Sequence, residues 1–287
     1  MTVAPKLTID DTQYLFADES ALENERLKRL NELYNQNTIS VLTPCIKQAV
    51  SVLEIGPGTG DIGSWIAEQI GQKHYTALDI SAENIATLRE KIPEATCITG
   101  SVTELGTVEE LRDKKFDVIF IRWVLAYIPK ELVQRTIETL FEKFLNTNGS
   151  LVCEECNVYK VHCIQNDDSR QQLDVAGYKD WLQLSRNVQS FEGMNADFEL
   201  GHNLKPHFVT LKANLSTYKF QPTMDTTYTK NIPVLAMKAA KPFLVGKNII
   251  TASEFERITT SLEQVAQDPT IAVNYLKNTA IVAMKQK

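Results

Sequence analysis

The chain of 287 residues contains no run approaching the roughly 20 consecutive apolar residues that a membrane-spanning helix needs, so a helical membrane span is not expected. Its first residues, MTVAPKLTIDDTQYLF, lack a basic segment followed by an apolar one, which argues against a secretory leader and makes a cytoplasmic location the default. Five cysteines, an odd number in a mid-sized chain, do not suggest a disulfide framework and agree with a reducing compartment. No cluster of Lys and Arg large enough to lay down a phosphate-tracking face is present, and 30 basic residues against 36 acidic ones leave a net charge of -6. DNA or bulk RNA is therefore not an expected partner. Internal repeats and low-complexity tracts are missing too, which favours one domain over an array.

What the chain does contain is an ordinary globular composition, 43% hydrophobic and 23% charged, with ample material for a core. Ser20 followed by Glu23 reads as a capping box, and Leu22, Leu27, Leu30, Leu33 and Tyr34 recur at roughly helical spacing. A second helix is expected over residues 38 to 49. From residue 51 the pattern alternates: strands at 51 to 55, 75 to 79, 95 to 99, 116 to 121 and 151 to 155, with helices near 59 to 70, 82 to 91, 108 to 112 and 132 to 145. Such alternation predicts a doubly wound α/β fold with a mostly parallel sheet. After Glu155 it stops. About 60 residues of helical and polar character follow, including helices over 178 to 188 and 205 to 215, and they read as an inserted cap. A strand over 216 to 224, helices over 231 to 245 and 252 to 266, and a last strand over 279 to 285 complete the chain. The expected organisation is a single domain with a helical lid (1 to 48), a core (49 to 155), a cap (156 to 215) and a closing segment (216 to 287).

The most informative stretch is Val52-Leu53-Glu54-Ile55-Gly56-Pro57-Gly58-Thr59-Gly60, an apolar run ending in an acid and three glycines at alternate positions. Glycines at a strand-to-helix turn let the backbone approach a ligand closely and aim a helix N-terminus at it. Gly58-Thr59-Gly60-Asp61-Ile62-Gly63 also fits the Gly-x-Gly-x-x-Gly fingerprint of dinucleotide sites, with Asp79 standing 19 residues beyond Gly60 to receive ribose hydroxyls. The glycines alone therefore leave NAD(P) and S-adenosylmethionine (SAM) both open. Glu54 sits where a carboxylate would repel a pyrophosphate but suit the cationic methionine end of SAM. No Tyr is followed by Lys four residues later, so the common hydride-transfer pair is missing.

The Glu-x-Gly-x-Gly-x-Gly stretch resembles the first motif of the class I SAM-dependent methyltransferases. Arg122-Trp123-Val124-Leu125-Ala126-Tyr127-Ile128-Pro129 and Glu154-Glu155-Cys156-Asn157 are similar to segments of the ubiquinone-biosynthesis type and of related bacterial and fungal small-molecule methyltransferases. Tyr14-Leu15 and Glu25-Arg26-Leu27 resemble the lid of that group. The likeness covers residues 14 to 157 and implies a seven-stranded, Rossmann-like sheet with an antiparallel last strand.

It also implies a site. Glu54, Gly56, Pro57, Gly58, Thr59 and Gly60 would hold the methionine portion of SAM, Asp79 and Ile80 the ribose, Ser101 and Val102 the adenine, and Arg122, with Tyr14 and Arg26 of the lid, would reach the cofactor. Ser101 stands where the family usually has Asp, and its hydroxyl is a weaker acceptor. Trp123, Tyr127, Glu155 and Asn157 follow strands at the carboxyl edge of the sheet, where ligands bind, and are the candidates for substrate contact. Of these, Glu155, Asn157 and Tyr127 are the candidates for assisting the chemistry. Cys153-x-x-Cys156 with His162-Cys163 raises zinc, but a lone pair of thiols in a strand reads as core and no metal is expected.

The function implied is methyl transfer to an N, O or C nucleophile of a small molecule. No nucleic acid or membrane partner is expected, and a homodimer stays open. Three alternatives remain: a protein or peptide methyltransferase, a noncatalytic regulator with the same fold, and an NAD(P)-dependent oxidoreductase.

Overall fold

The computed structural model describes residues 20–167, 171–191 and 196–286. The described residues begin with α1 (Ser20–Ile46), then run through β1 (Val52–Ile55), α2 (Asp61–Ile70), β2 (Tyr75–Asp79), α3 (Ala82–Lys91), β3 (Thr96–Thr99), β4 (Phe116–Arg122), α4 (Lys130–Thr139) and β5 (Leu145–Asn157). The cap and closing segment add β6 (His162–Gln165), β7 (Gln172–Leu173), α5 (Ala176–Gln189), α6 (Leu200–Asn203), β8 (Ala213–Phe220), β9 (Thr223–Met224), α7 (Thr227–Lys230), α8 (Ile232–Ala239), α9 (Lys241–Gly246), α10 (Ala252–Gln267), β10 (Ile271–Asn274) and β11 (Lys277–Lys285).

Seven strands form the main sheet in the order β3-β2-β1-β4-β5-β11-β8. β1 to β5 are mutually parallel, and β11 runs antiparallel to both of its neighbours. The near-continuous apolar runs of β1 and β4 follow from burial on both faces. Along β4, Ile119 and Ile121 join one core with α4, while Val118 and Phe120 join another with α1, α2 and α3, as alternation on a strand requires. A third apolar cluster joins lid, cap and closing segment, where Leu30 and Tyr34 of α1 meet side chains of α5, α8, α9 and α10.

Three expectations change. Residues 20 to 46 form one helix rather than two, because Asn31, Asn35 and Thr38, weak helix formers in isolation, are held by bonds to the sheet described below. The cap is not purely helical: β6 and β7 join β10 and β9 in a second, antiparallel sheet of order β7-β6-β10-β9. Cys163 of β6 pairs with Val273 of β10, a partner far along the chain that local pattern cannot reveal. The helix expected over 205 to 215 is a single turn at Lys205–Phe208, beyond which β8 begins at Ala213 and pairs along its own length with β11 from Asn278 to Lys285. No helix among the described residues is long and apolar enough to cross a membrane.

Candidate active site

The glycine loop joins β1 to α2 in a conformation that side-chain-bearing residues resist. Gly56, Gly58 and Gly60 have φ of 69°, 53° and 78°. A Cβ on Gly56 would collide with the Val124 side chain, and one on Gly60 with Leu88. The Gly56 N–H donates to Leu78 O at 2.8 Å and that of Gly60 to Pro57 O at 2.9 Å, so the loop folds over the ends of β1 and β2. Above it lies a cavity of about 530 Å³, inside the range of roughly 300–1,000 Å³ usual for small-molecule sites.

The carboxyl ends of the parallel strands form the floor. Gly56, Pro57, Gly58 and Thr59 line it after β1, Asp79 and Ile80 after β2, and Ser101 and Val102 after β3. One Asp79 oxygen accepts from Ser81 N at 2.9 Å and the other from Asn84 Nδ2 at 3.3 Å, which fixes the carboxylate at the rim. The Ser101 hydroxyl accepts from Thr103 N at 3.3 Å and shares a 2.9 Å hydrogen bond with the Thr103 hydroxyl. Trp123 and Tyr127 line the cavity after β4, Trp123 with a left-handed φ of 56°. A tryptophan in that region is a strained position of the kind that clusters at functional sites. Its ring meets Tyr34 edge-on at 5.2 Å between centroids, and its indole N–H is buried without a partner. Burial raises the Tyr127 phenol, so it stays protonated.

Several residues expected at the site have other work. Glu54 does not line the cavity; it lies behind the glycine loop, where it accepts the Tyr75 hydroxyl, and burial pushes its carboxyl up to about 7. Asn157 does not reach the cavity either, because its side chain accepts from Tyr159 N and caps the turn after β5. Glu155 is fully buried: one oxygen accepts from Val124 N at 3.0 Å and Leu125 N at 2.8 Å, and the other has no partner. Burial pushes it up to about 8, so it anchors the loop after β4 as a largely neutral acid. Arg122 lines the cavity, but its guanidinium is turned to the lid, donating to Asn31 Oδ1 at 2.7 Å, Asn35 Oδ1 at 2.8 Å and Thr38 Oγ1 at 3.2 Å. Tyr14 lies outside the described residues. The Ser20 side chain, expected to form a capping box with Glu23, lies outside the described residues; Glu23 is bound in bidentate fashion by Arg26 at 2.6 and 2.7 Å, and both line the cavity.

Other contributors were not singled out in the sequence. Asn31 donates to Thr59 Oγ1 at 2.9 Å and to the Asp61 carboxylate while accepting from Arg122, and so ties lid, glycine loop and β4 together. A lone Asn in a helix carries little signal beyond its poor propensity there. Trp181, Leu184, Met237, Leu244 and Tyr275 close the cavity from the cap side. Only the helical spacing of Trp181, Leu184 and Val188 hinted at this, and that spacing reads equally as core. Among the described residues no group of three or more His, Cys, Asp and Glu side chains is arranged to hold a metal ion.

A parallel sheet with one reversed strand, a glycine loop after its first strand and an acid closing its second define the class I methyltransferase fold. Residues 52–149, from β1 into the start of β5, match the family described as "Methyltransferase domain". The chain is similar to phosphoethanolamine N-methyltransferase 1 of Triticum aestivum, 23% identical over 190 residues that make up 63% of this chain and 36% of that protein. It spans about a third or less of the length of the curated relatives it matches. Among solved structures it resembles a SAM-dependent methyltransferase from Archaeoglobus fulgidus (TM-score 0.52, 15% identity, 95% of this chain and 100% of that one). It also resembles the plantazolicin methyltransferase BpumL in complex with SAH, the demethylated product of SAM (TM-score 0.51, 15% identity, 96% and 94%).

Proposed function

We propose that the protein is a SAM-dependent methyltransferase that acts on a small molecule, the whole chain working as one domain. The observation that carries this is the single cavity in which the glycine loop and Asp79 share a room with the cap. The residues fit SAM: Asp79 offers a fixed carboxylate to two ribose hydroxyls, the loop offers backbone without side chains, and Ile80 and Val102 offer apolar edges to a base. When bound, SAM supplies a methyl group on a cationic sulfur, a good leaving group. The protein's part is to align an acceptor and exclude water, which α1 and the cap do by roofing the cavity. No ionised base stands ready among Glu155 and Tyr127, since burial keeps both protonated near neutral pH. Transfer thus suits a nucleophile that needs little help, such as a neutral amine, consistent with the names of the wheat relatives.

Calorimetry with SAM and SAH, with NAD(P)H as the control, tests the cofactor. Affinity for SAM is expected, and affinity for NAD(P)H alone would overturn the reading. Methyl transfer from labelled SAM into a metabolite extract tests the activity. Binding without transfer would instead point to a noncatalytic regulator, and label confined to protein would point to a protein methyltransferase.

A further inference from the structure

Beside the Glu23–Arg26 pair, much of the lining that α1, the cap and the closing segment give the cavity is hydrocarbon or aromatic. Leu30 of α1, Trp181 and Leu184 of α5, Met237 of α8, Leu244 of α9 and Tyr275 between β10 and β11 each contribute a wall, so five separate elements converge to make one apolar chamber. These side chains belong to the buried cluster that joins lid, cap and closing segment, and Trp181 and Tyr275 stack with ring centroids 6.3 Å apart and planes 20° from parallel.

The charges around the cavity are as informative. Besides the neutral Glu155, four carboxyl groups line it, on Glu23, Asp61, Asp79 and Glu83, against two cations among the described residues, Arg26 and Arg122. Arg26 is bound in bidentate fashion to Glu23, and Arg122 bonds three lid side chains. A phosphate group carries close to two negative charges at neutral pH and needs several strong donors to leave water. Here it would have to displace buried partners from both guanidiniums while facing an excess of carboxyl groups. An uncharged ring system, by contrast, gains from leaving water and forfeits nothing.

We propose that the acceptor is a predominantly apolar, ring-bearing small molecule with a neutral nucleophile, held in this chamber, and not a phosphorylated amino alcohol. The assignment rests on the methyltransferase reading only for the word acceptor; the chamber's preference for its occupant is independent of it. Burial raises the Tyr275 phenol, so Tyr275 itself offers a neutral dipole to the chamber.

Titration calorimetry with 4-phenylphenol, phosphoethanolamine and inorganic phosphate, each on SAH-saturated and on cofactor-free protein, tests this. 4-Phenylphenol is expected to bind at least tenfold more tightly than either phosphate compound. Leu184→Gln should weaken it at least tenfold and leave SAH affinity within twofold. Met237→Gln, checked for an unchanged melting temperature, provides the same comparison should Leu184→Gln fold poorly. Phosphoethanolamine binding as tightly as 4-phenylphenol, or both variants binding 4-phenylphenol like wild type, overturns the proposal. Loss of SAH binding with 4-phenylphenol binding intact would overturn the methyltransferase reading and uphold the chamber; the reverse pattern would uphold that reading and overturn the chamber.

Discussion

Replacing Glu155 by Gln should remove a large part of the pH dependence of folding while leaving the structure in place. The side chain is fully buried, and one oxygen takes the backbone N–H groups of Val124 and Leu125. Its carboxyl is raised from 4.5 to about 8 by burial. Between those values the folded protein keeps a proton that the unfolded chain has released, so the stability it contributes is full below pH 4.5 and is lost as pH rises through 8. One pKa unit corresponds to about 1.4 kcal/mol, and from pH 5 to pH 8 the loss amounts to roughly 3–4 kcal/mol. Gln keeps the accepting oxygen and cannot ionise. Urea unfolding at pH 5, 6.5 and 8 should show wild type losing that amount relative to Glu155→Gln, with the variant within about 1 kcal/mol of wild type at pH 5. Glu155→Ala, which orphans two buried N–H groups at about 1–3 kcal/mol each, should be less stable at every pH. Parallel pH profiles for wild type and Glu155→Gln would refute a neutral buried acid, and equal damage from Gln and Ala at pH 5 would refute its role as an acceptor for the loop.

Asp79→Ala should weaken SAM roughly tenfold to a hundredfold by calorimetry, as expected for the loss of a charged acceptor worth about 1.5–3 kcal/mol; unchanged affinity would sink the ribose assignment. Glu54→Gln should leave SAM affinity within about twofold, because the side chain faces Tyr75 and not the cavity, and a large loss would restore Glu54 to the site. Arg122→Ala removes the charged donor from three lid oxygens, so about 1.5–3 kcal/mol of stability should go. A loss under 1 kcal/mol in urea unfolding would mean the lid is held otherwise.

The strands that alternate with helices were legible because each carries its own signal: an apolar run, an N-cap such as Ser81, or a glycine turn. Asp79, Ser101 and Tyr127 could be named from position alone, since the carboxyl ends of parallel strands converge on one edge. Function proved harder to separate from support. Glu54, Glu155 and Asn157 sit in the right stretches, but whether a side chain is free to act or is bound to Tyr75, Val124 or Tyr159 depends on neighbours brought in by folding. The chamber was less legible still, because its walls come from five elements spread from Leu30 to Tyr275 and each resembles ordinary core. β6 escaped notice for the same reason, its pairing partner lying over a hundred residues onward.

The unbroken α1 has a kinetic consequence. Its outer turns carry Glu23, Arg26 and Leu27 over the cavity, while its inner turns are fastened through Thr38 and Arg122 to Glu154, which is held in turn by Asn278 of β11. A rod fastened to the sheet along its inner turns, and bonded to α7 through Arg29 nearer its outer end, has no joint in the middle at which to swing. Traffic in and out of the room therefore passes by unwinding of the first turns or by displacement of the cap. The helix end before Asn31 should thus exchange its amide hydrogens faster than the pinned half, and should slow most when SAH is present.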